Sequence, residues 1–333
     1  MPERLDHFMA RAAAAYYAGR DPFGARGDFI TAPEISQAFG ECLGLWAAIA
    51  WQVMGKPAPV LLVELGPGRG TLMADALRAI AQVVPDFRAA LRLHLVEQSP
   101  ALRARQAELL AGAEPVWHDR VEDLPPGPAL VLANEFLDAL PIRQFERRGG
   151  AWLERHVEAG AFVPVPVSDD APPLPGGAPE GAIQEVCEPA RVLAAHLGAR
   201  LAAQGGAALF VDYGPARSGF GDSLQALSAH GAADPLGAPG AADITAHVDF
   251  QAVAEAGIAA GATAQGPVPQ GIFLQSLGLV TRAAMLARAR PSGAGMQLSA
   301  AQRLIAPEGM GRLFKALALC HPALPTLPGF ETA

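Results

Sequence analysis

Between residues 60 and 83 the chain passes from an almost wholly apolar run, Val60-Leu61-Leu62-Val63-Glu64-Leu65, through three glycines in five residues, Gly66-Pro67-Gly68-Arg69-Gly70, into a stretch where Leu72, Ala76, Ile80 and Val83 recur at three- and four-residue steps. That succession predicts a strand buried on both faces, a tight backbone turn and an amphipathic helix. The unit repeats. Leu91 to Val96 is a second strand, followed by a helix through Leu102, Gln106 and Leu110; Val116-Trp117 is a short third strand. Ala129 to Ala133 is a fourth, and a helix from Val186 to Gln204 leads into a fifth, Ala207 to Asp212. Apolar strands alternating with helices predict an α/β fold, Rossmann-like, with a mostly parallel sheet covered by helices on both faces.

Of the 333 residues 51 % are apolar and 17 % charged, enough for a large core. The net charge of −8 argues against a broad nucleic-acid-binding face. Three scattered cysteines (Cys42, Cys187, Cys320) make neither a disulfide framework nor a cysteine zinc site, which fits a reducing compartment. The first residues carry Glu3 and Asp6 and lack the apolar region of a secretory signal, and no apolar run reaches membrane-spanning length. The expectation is a cytoplasmic protein with no membrane insertion and no nucleic-acid partner.

Residues 1–56 read as a helical N-terminal segment. Thr31-Ala32-Pro33-Glu34 has the spacing of a capping box, and Ile35, Phe39, Cys42, Trp46, Ile49 and Val53 then trace one apolar stripe. Residues 57–146 and 182–333 carry the α/β domain. Residues 147–181 alternate in short segments and predict a β-hairpin insertion; 214–267, rich in Gly and Ala, predict a substrate-covering insertion. Gln270 to Arg290 reads as a helix, and Leu298 to Leu319 as the source of an edge strand.

The glycine turn is the setting in which a nucleotide-like cofactor sits against backbone and helix N-terminus. A dinucleotide fingerprint needs its third glycine three positions after the second. Here Gly66 and Gly68 are followed by Gly70, with Thr71 next. That form, with Glu64 at the strand end, resembles motif I of class I S-adenosylmethionine-dependent methyltransferases; a tight βα turn without a ligand is the plainer alternative. Glu97, 27 residues past Gly70, ends the second strand, where a carboxylate accepts hydrogen bonds from ribose hydroxyls, with Gln98 beside it. After the third strand, Asp119 and Val121 are candidates for the adenine. His118 and Asp119 lack a nearby third ligand, so no metal is expected.

The fourth strand ends in Ala133-Asn134-Glu135-Phe136-Leu137-Asp138-Ala139-Leu140-Pro141, at the sheet edge where substrate meets cofactor. Asn134 is a cofactor candidate. Glu135 and Asp138 bring two carboxylates near one acceptor, and a planar guanidinium, which forms paired hydrogen bonds to carboxylates, matches them. Either acid is a candidate to take up the proton lost on methyl transfer. A helix cap with an exposed acid is the competing reading.

Six segments together, Gly27 to Ser36 (GDFITAPEIS), Glu64 to Gly70, Ala133 to Pro141, Val211-Asp212-Tyr213-Gly214, Asp243 to Phe250 (DITAHVDF) and Gln270 to Leu274 (QGIFL), are similar to the MidA-like S-adenosylmethionine-dependent methyltransferase family over residues 4 to 320. The resemblance implies the class I methyltransferase fold, S-adenosyl-L-methionine as cofactor and a protein arginine as acceptor. The family's mitochondrial members methylate an arginine of a complex I core subunit, so such a subunit or its counterpart is the implied partner; a homodimer stays open. It also implies that Asp28, Thr31 and Glu34 close the cofactor cleft. His247 and Asp249 are candidates for a hydrogen-bonded pair beside the acceptor, and Gln270 for the cleft wall. Many relatives carry Thr before that Gln and an acid after the Gly, where this chain has Pro269 and Ile272.

Two readings follow: an enzyme that methylates a protein side chain, and a non-catalytic assembly or binding protein on a methyltransferase fold. A nicotinamide-dependent oxidoreductase fits the sheet but not Thr71 at the glycine turn.

Overall fold

The apolar run Val60–Leu65 forms a strand buried along its whole length, and the strands read from the same pattern flank it. The computed structural model describes residues 1–17, 31–228 and 231–331. In chain order, β1 (Glu3–Arg4) runs into α1 (Leu5–Tyr17); α2 (Ala32–Ile35) and α3 (Gln37–Val53) follow. Then come β2 (Val60–Leu65), α4 (Thr71–Val83), α5 (Pro85–Ala90), β3 (Leu91–Val96), α6 (Pro100–Leu109), β4 (Val116–His118) and β5 (Ala129–Asn134). Four strands, β6 (Arg143–Arg148), β7 (Ala151–Glu158), β8 (Ala161–Pro166) and β9 (Ile183–Val186), precede α7 (Glu188–Gln204) and β10 (Gly206–Tyr213). Three short strands, β11 (Gln225–Ser228), β12 (Gly231–Ala233) and β13 (Asp243–Thr245), lead to α8 (Phe250–Ala259) and β14 (Thr263–Pro269). The chain finishes with α9 (Gln270–Ser276), α10 (Leu279–Ala289), α11 (Ala294–Ile305), α12 (Met310–Leu313) and β15 (Phe314–Cys320).

The main sheet runs β14-β15-β10-β5-β2-β3-β4. Its five strands from β10 to β4 are parallel, and β15 and β14 add antiparallel pairs at one side. Alternate strand residues face opposite ways. Leu62, Leu93, Leu130 and Leu209 pack with Phe39 and Trp46 of α3, Leu72 and Ile80 of α4 and Phe273 of α9. On the other face Val63, Val131 and Phe210 pack with Leu197 and Leu201 of α7 and Phe250 and Val253 of α8. Burying each such large side chain contributes about 1.5–3 kcal/mol, so both helical layers are bound to the sheet by its own apolar faces.

Several sequence expectations need correction. Residues 147–181 are not an isolated hairpin. They belong to a second sheet that takes in β6 from Arg143 and β1 from the N-terminus, in the order β1-β7-β6-β9, with β8 on β7. Glu3 pairs with Val157 across it, so the N-terminal segment is not wholly helical. The pattern hides this because Arg143 and Glu154 point inward as a buried two-bond ion pair, at 2.7 and 2.9 Å. The capping box is absent: Thr31 holds extended dihedrals but its side chain makes no cap bond, and the helix breaks at Ser36 before α3 begins. Ile49 and Val53 lie exposed rather than in the stripe. Gln270 to Arg290 is two helices, separated at Gly278, which stands at φ 81°. The last strand is not at the edge, because β14 pairs along its outer side. Of residues 214–267, α8 and β14 belong to the main domain, and the small sheet β12-β11-β13 is the inserted part.

Candidate active site

Register decides what meets at the sheet edge. Leu65 aligns with Val96 on β3 and with Ala133 on β5, and Asn134 aligns with Val211 on β10. The carboxyl ends of four strands therefore stop level, and the next residues extend the ladder: Gly66 N–H donates to Val96 O at 3.0 Å and Glu135 N–H to Val211 O at 2.9 Å. Gly66, Glu97 and Glu135 come together this way, over a cavity of about 710 Å³. That volume is within the usual range for a small-molecule site.

The turn after β2 needs its glycines. Gly66, Gly68 and Gly70 have φ of 60°, 53° and 86°. A Cβ on Gly66 would stand 2.7 Å from Phe136 Cδ2. Gly70 caps α4, while Gly66 and Gly68 form the cavity wall. Glu64 beside them is buried, and its Oε2 has no protein partner. Burial, reinforced by the nearby charge of Glu97, pushes its carboxyl up to about 8. Glu97 lines the same cavity and is also raised by burial. Its Oε1 accepts from Ser99 N–H at 2.8 Å and its Oε2 from Gln106 Nε2 at 3.3 Å.

At the end of β5, Asn134 Oδ1 and Asp138 Oδ1 are buried, lack protein partners and border the cavity. Glu135 holds φ 48°, a left-handed conformation unfavourable for a residue with a side chain. Its Oε1 accepts from Ala32 N–H at 2.9 Å and from Asn134 Nδ2 at 3.2 Å. Burial raises Glu135 to about 7 and Asp138 to about 6; the Tyr213 phenol, bonded to Thr245 Oγ1 at 2.7 Å, lies against Asp138 and opposes its rise. Behind them Asp212 Oδ2 accepts from the N–H groups of Phe136, Leu137 and Asp138, at 3.0, 2.9 and 3.3 Å. Burial and then the charge of Asp138 raise Asp212 in turn.

The segment ahead of α3 forms one wall. Thr31 and Glu34 border the cavity; Glu34 Oε1 accepts from Thr71 Oγ1 at 2.5 Å, and its Oε2 stands 3.7 Å from Arg69. Asp28 lies outside the described residues. Tyr213, Thr245 and His247 enter from β10, β13 and the loop after it, the His247 ring edge-on to Tyr213 with centroids 5.5 Å apart. Burial lowers the His247 pKa.

Other sequence candidates stand elsewhere. Gln98 is exposed and donates to Asp119 O at 3.2 Å. Asp119 is exposed and pairs with Arg103 at 2.7 Å. Val121 is buried in the second core layer. Asp249 is not paired with His247: it caps α8, accepting from Ala252 N–H at 3.0 Å and Ser218 Oγ at 2.8 Å. Gln270 is buried under α11, donating to Leu304 O at 2.9 Å. None of these five borders the cavity, because strand-end position does not specify where a loop side chain turns. Sequence reading gave no role to Gln106, Asp212 or Tyr213. Two of them, Asp212 and Tyr213, were signalled by the apolar strand that they end at the same sheet edge and by the Val211-to-Gly214 segment of the family resemblance.

A five-stranded parallel core, a glycine turn after its central strand and an acid ending the next strand define the class I methyltransferase fold. Comparison with known proteins carries this further. A family of S-adenosyl-L-methionine-dependent methyltransferases matches residues 42–268. The mitochondrial protein arginine methyltransferase NDUFAF7 homolog of Drosophila melanogaster is 37% identical over 358 residues, covering 95% of this chain and 80% of that protein. NDUFAF7 of Homo sapiens is 36% identical over 358 residues, with 95% and 79% covered. The crystal structure of a protein from Burkholderia thailandensis bound to S-adenosyl-homocysteine superposes with a TM-score of 0.85 at 30% identity over 99% of this chain and 90% of that one. The chain belongs to this family of S-adenosyl-L-methionine-dependent methyltransferases.

The residues present fit that cofactor. Glu64 Oε2 and Asn134 Oδ1 are buried acceptors without protein partners around one cavity. Buried acceptors left unmet are costly, and a ligand bearing an ammonium and a sulfonium supplies the donors and positive charge they lack. Glu97 borders the same cavity one strand over, a carboxylate able to accept hydrogen bonds from hydroxyl groups.

Proposed function

We propose that the protein methylates a guanidinium nitrogen of an arginine in a protein substrate, a respiratory complex I core subunit or its counterpart. The observation that carries this is the unpartnered Oδ1 of Asp138 facing the cavity among Glu135, Tyr213 and His247. The two carboxyls, Glu135 and Asp138, outnumber the cation beside them, Arg303, which favours a planar cation over an anionic acceptor. The arginine methyltransferase names of the relatives support the same acceptor. The three cysteines are unpaired, which supports a reducing compartment such as the cytoplasm. Among the described residues no helix is long and apolar enough to cross a membrane.

When bound, S-adenosyl-L-methionine supplies an electrophilic methyl group. Glu64, Glu97, Asn134 and the 66–70 turn hold it, and the 31–36 segment walls the cleft, excluding water. Asp138 orients the guanidinium so that one nitrogen lone pair points at the methyl carbon, and its Oδ1 takes the proton that this nitrogen loses. A carboxyl raised to about 6 accepts a proton near neutral pH more readily than an ordinary one. Glu135, held by Ala32 N–H and Asn134, contributes negative charge from a fixed position. Asp212 holds the 136–138 backbone and with it the direction of Asp138.

The test is incubation of the purified protein with S-adenosyl-L-methionine and a recombinant complex I core subunit, read by intact-mass and fragment spectrometry. Methyl increments on an arginine are expected, lost in Asp138→Asn while S-adenosyl-homocysteine binding by calorimetry persists. Binding without any methyl increment on the subunit would sink the acceptor assignment.

A further inference from the structure

Gln106 does not border the cavity, yet it joins two residues that line it, Gly68 and Glu97. Its side chain, on α6, is fully buried. Nε2 donates to Gly68 O at 2.7 Å and to Glu97 Oε2 at 3.3 Å, and Oε1 accepts from Trp117 Nε1 at 2.8 Å. An indole N–H only donates, so Oε1 must face Trp117 and both amide hydrogens must point at Gly68 and Glu97. The amide cannot be flipped without leaving three polar groups mismatched. Its stem also backs the turn, since a Cβ on Gly70 would come within 3.4 Å of Gln106 Cγ. Glu97 Oε1 is held by Ser99 N–H, so the carboxylate is fixed through one bond on each oxygen.

We propose that Gln106 is a positioning residue for the nucleoside: one buried amide ties the Gly68 carbonyl of the glycine turn to the Glu97 carboxylate, setting how far apart they stand. Gln106 then acts on the ligand only through those two partners. A hydrophobic residue of the same length would keep the packing of α6 and leave the Gly68 carbonyl, Glu97 Oε2 and the Trp117 N–H without their partner. A glutamate would keep the shape and set an acceptor against two acceptors. The charged groups around Glu97 are Glu64 on β2 and Arg103 on α6.

The experiment is calorimetric titration of S-adenosyl-homocysteine into wild type, Glu97→Ala, Gln106→Leu and the double variant, with thermal melts of the free proteins alongside. Each single change should weaken binding about tenfold or more, because each removes or misplaces hydrogen bonds to a charged group. The double variant should lose much less than the product of the two single losses, because with Glu97 gone Gln106 has only its bond to Gly68 left to give up. Wild-type affinity in Gln106→Leu, or two losses that multiply, would overturn the proposal. Gln106→Glu gives an independent reading, and decides the matter if Gln106→Leu does not fold. Its affinity relative to wild type should recover in part as pH falls, when a proton shared with Glu97 restores one of the two missing donors. A ratio that stays flat as pH falls overturns the proposal equally.

Discussion

Asp212, the penultimate residue of β10, bonds the backbone N–H of Leu137 at 2.9 Å through the same oxygen that takes the N–H groups of Phe136 and Asp138. Its other oxygen accepts from Tyr213 N–H at 2.9 Å. One buried carboxyl thus organises the loop that presents Glu135 and Asp138, and lets Glu135 stand in a left-handed conformation.

Asp212→Ala should therefore destabilise the protein by about 2–4 kcal/mol, since it leaves several buried N–H groups unmet. Methyl transfer should fall further than S-adenosyl-homocysteine affinity, because the loop and not the glycine turn loses its support. Chemical denaturation with calorimetry checks both; equal losses in the two would contradict a role centred on the loop.

Glu64 makes a pH prediction whose sign is set by its raised carboxyl. Folded, it titrates at about 8; unfolded, at its ordinary value of 4.5. The folded chain therefore holds the proton that the unfolded chain has released, and Glu64 lowers stability progressively as pH climbs from 4.5 to about 8. Glu64→Gln, neutral throughout, should gain stability relative to wild type over that window, by up to a few kcal/mol in the ligand-free protein. Parallel denaturant melts across the window measure it. A stability difference independent of pH would show that Glu64 is not the group responsible.

Gly66→Ala should weaken S-adenosyl-homocysteine binding at least about tenfold, since the added carbon meets Phe136 at 2.7 Å and the left-handed backbone costs an L residue about 1–2 kcal/mol. Gly55, also at positive φ but with nothing near its Cβ position, is the control: Gly55→Ala should leave binding unchanged. Calorimetry on the two variants separates cavity geometry from general backbone strain.

Glu34→Ala removes the contacts to Thr71 and Arg69 that hold the 31–36 segment against the glycine turn. The side chain is partly exposed, so little global stability should be lost. Dissociation of S-adenosyl-homocysteine, followed by stopped-flow fluorescence, should quicken several-fold while the thermal midpoint moves little. An unchanged dissociation rate would mean that the segment does not close the cleft.

Much of this site was legible in the linear chain. The apolar run into Gly66-Pro67-Gly68-Arg69-Gly70, the acid at Glu97 and the Asn134-to-Asp138 loop all announce themselves, because parallel strands place their functional residues at their carboxyl ends. Where the structure departs from the expectation the causes are equally specific. Asp119 and Gln98 follow strand ends yet do not line the cavity, because loop side chains turn according to local partners, here Arg103 and each other. The second sheet was read too short because its inward-facing Arg143 and Glu154 look like surface residues until they are paired.

Periodicity and glycine spacing are local properties of the chain, and by themselves they determined the α/β order, the glycine turn at the sheet edge and the acid-bearing loop. Which distant residues complete the site was decided only by tertiary structure. Ala32 reaches Glu135 across 103 positions, Leu137 reaches Asp212 across 75, and Gln106 reaches Gly68 across 38. No local pattern encodes such pairings. They follow from strand register and helix docking, and those are settled when the apolar faces of the whole chain are buried together.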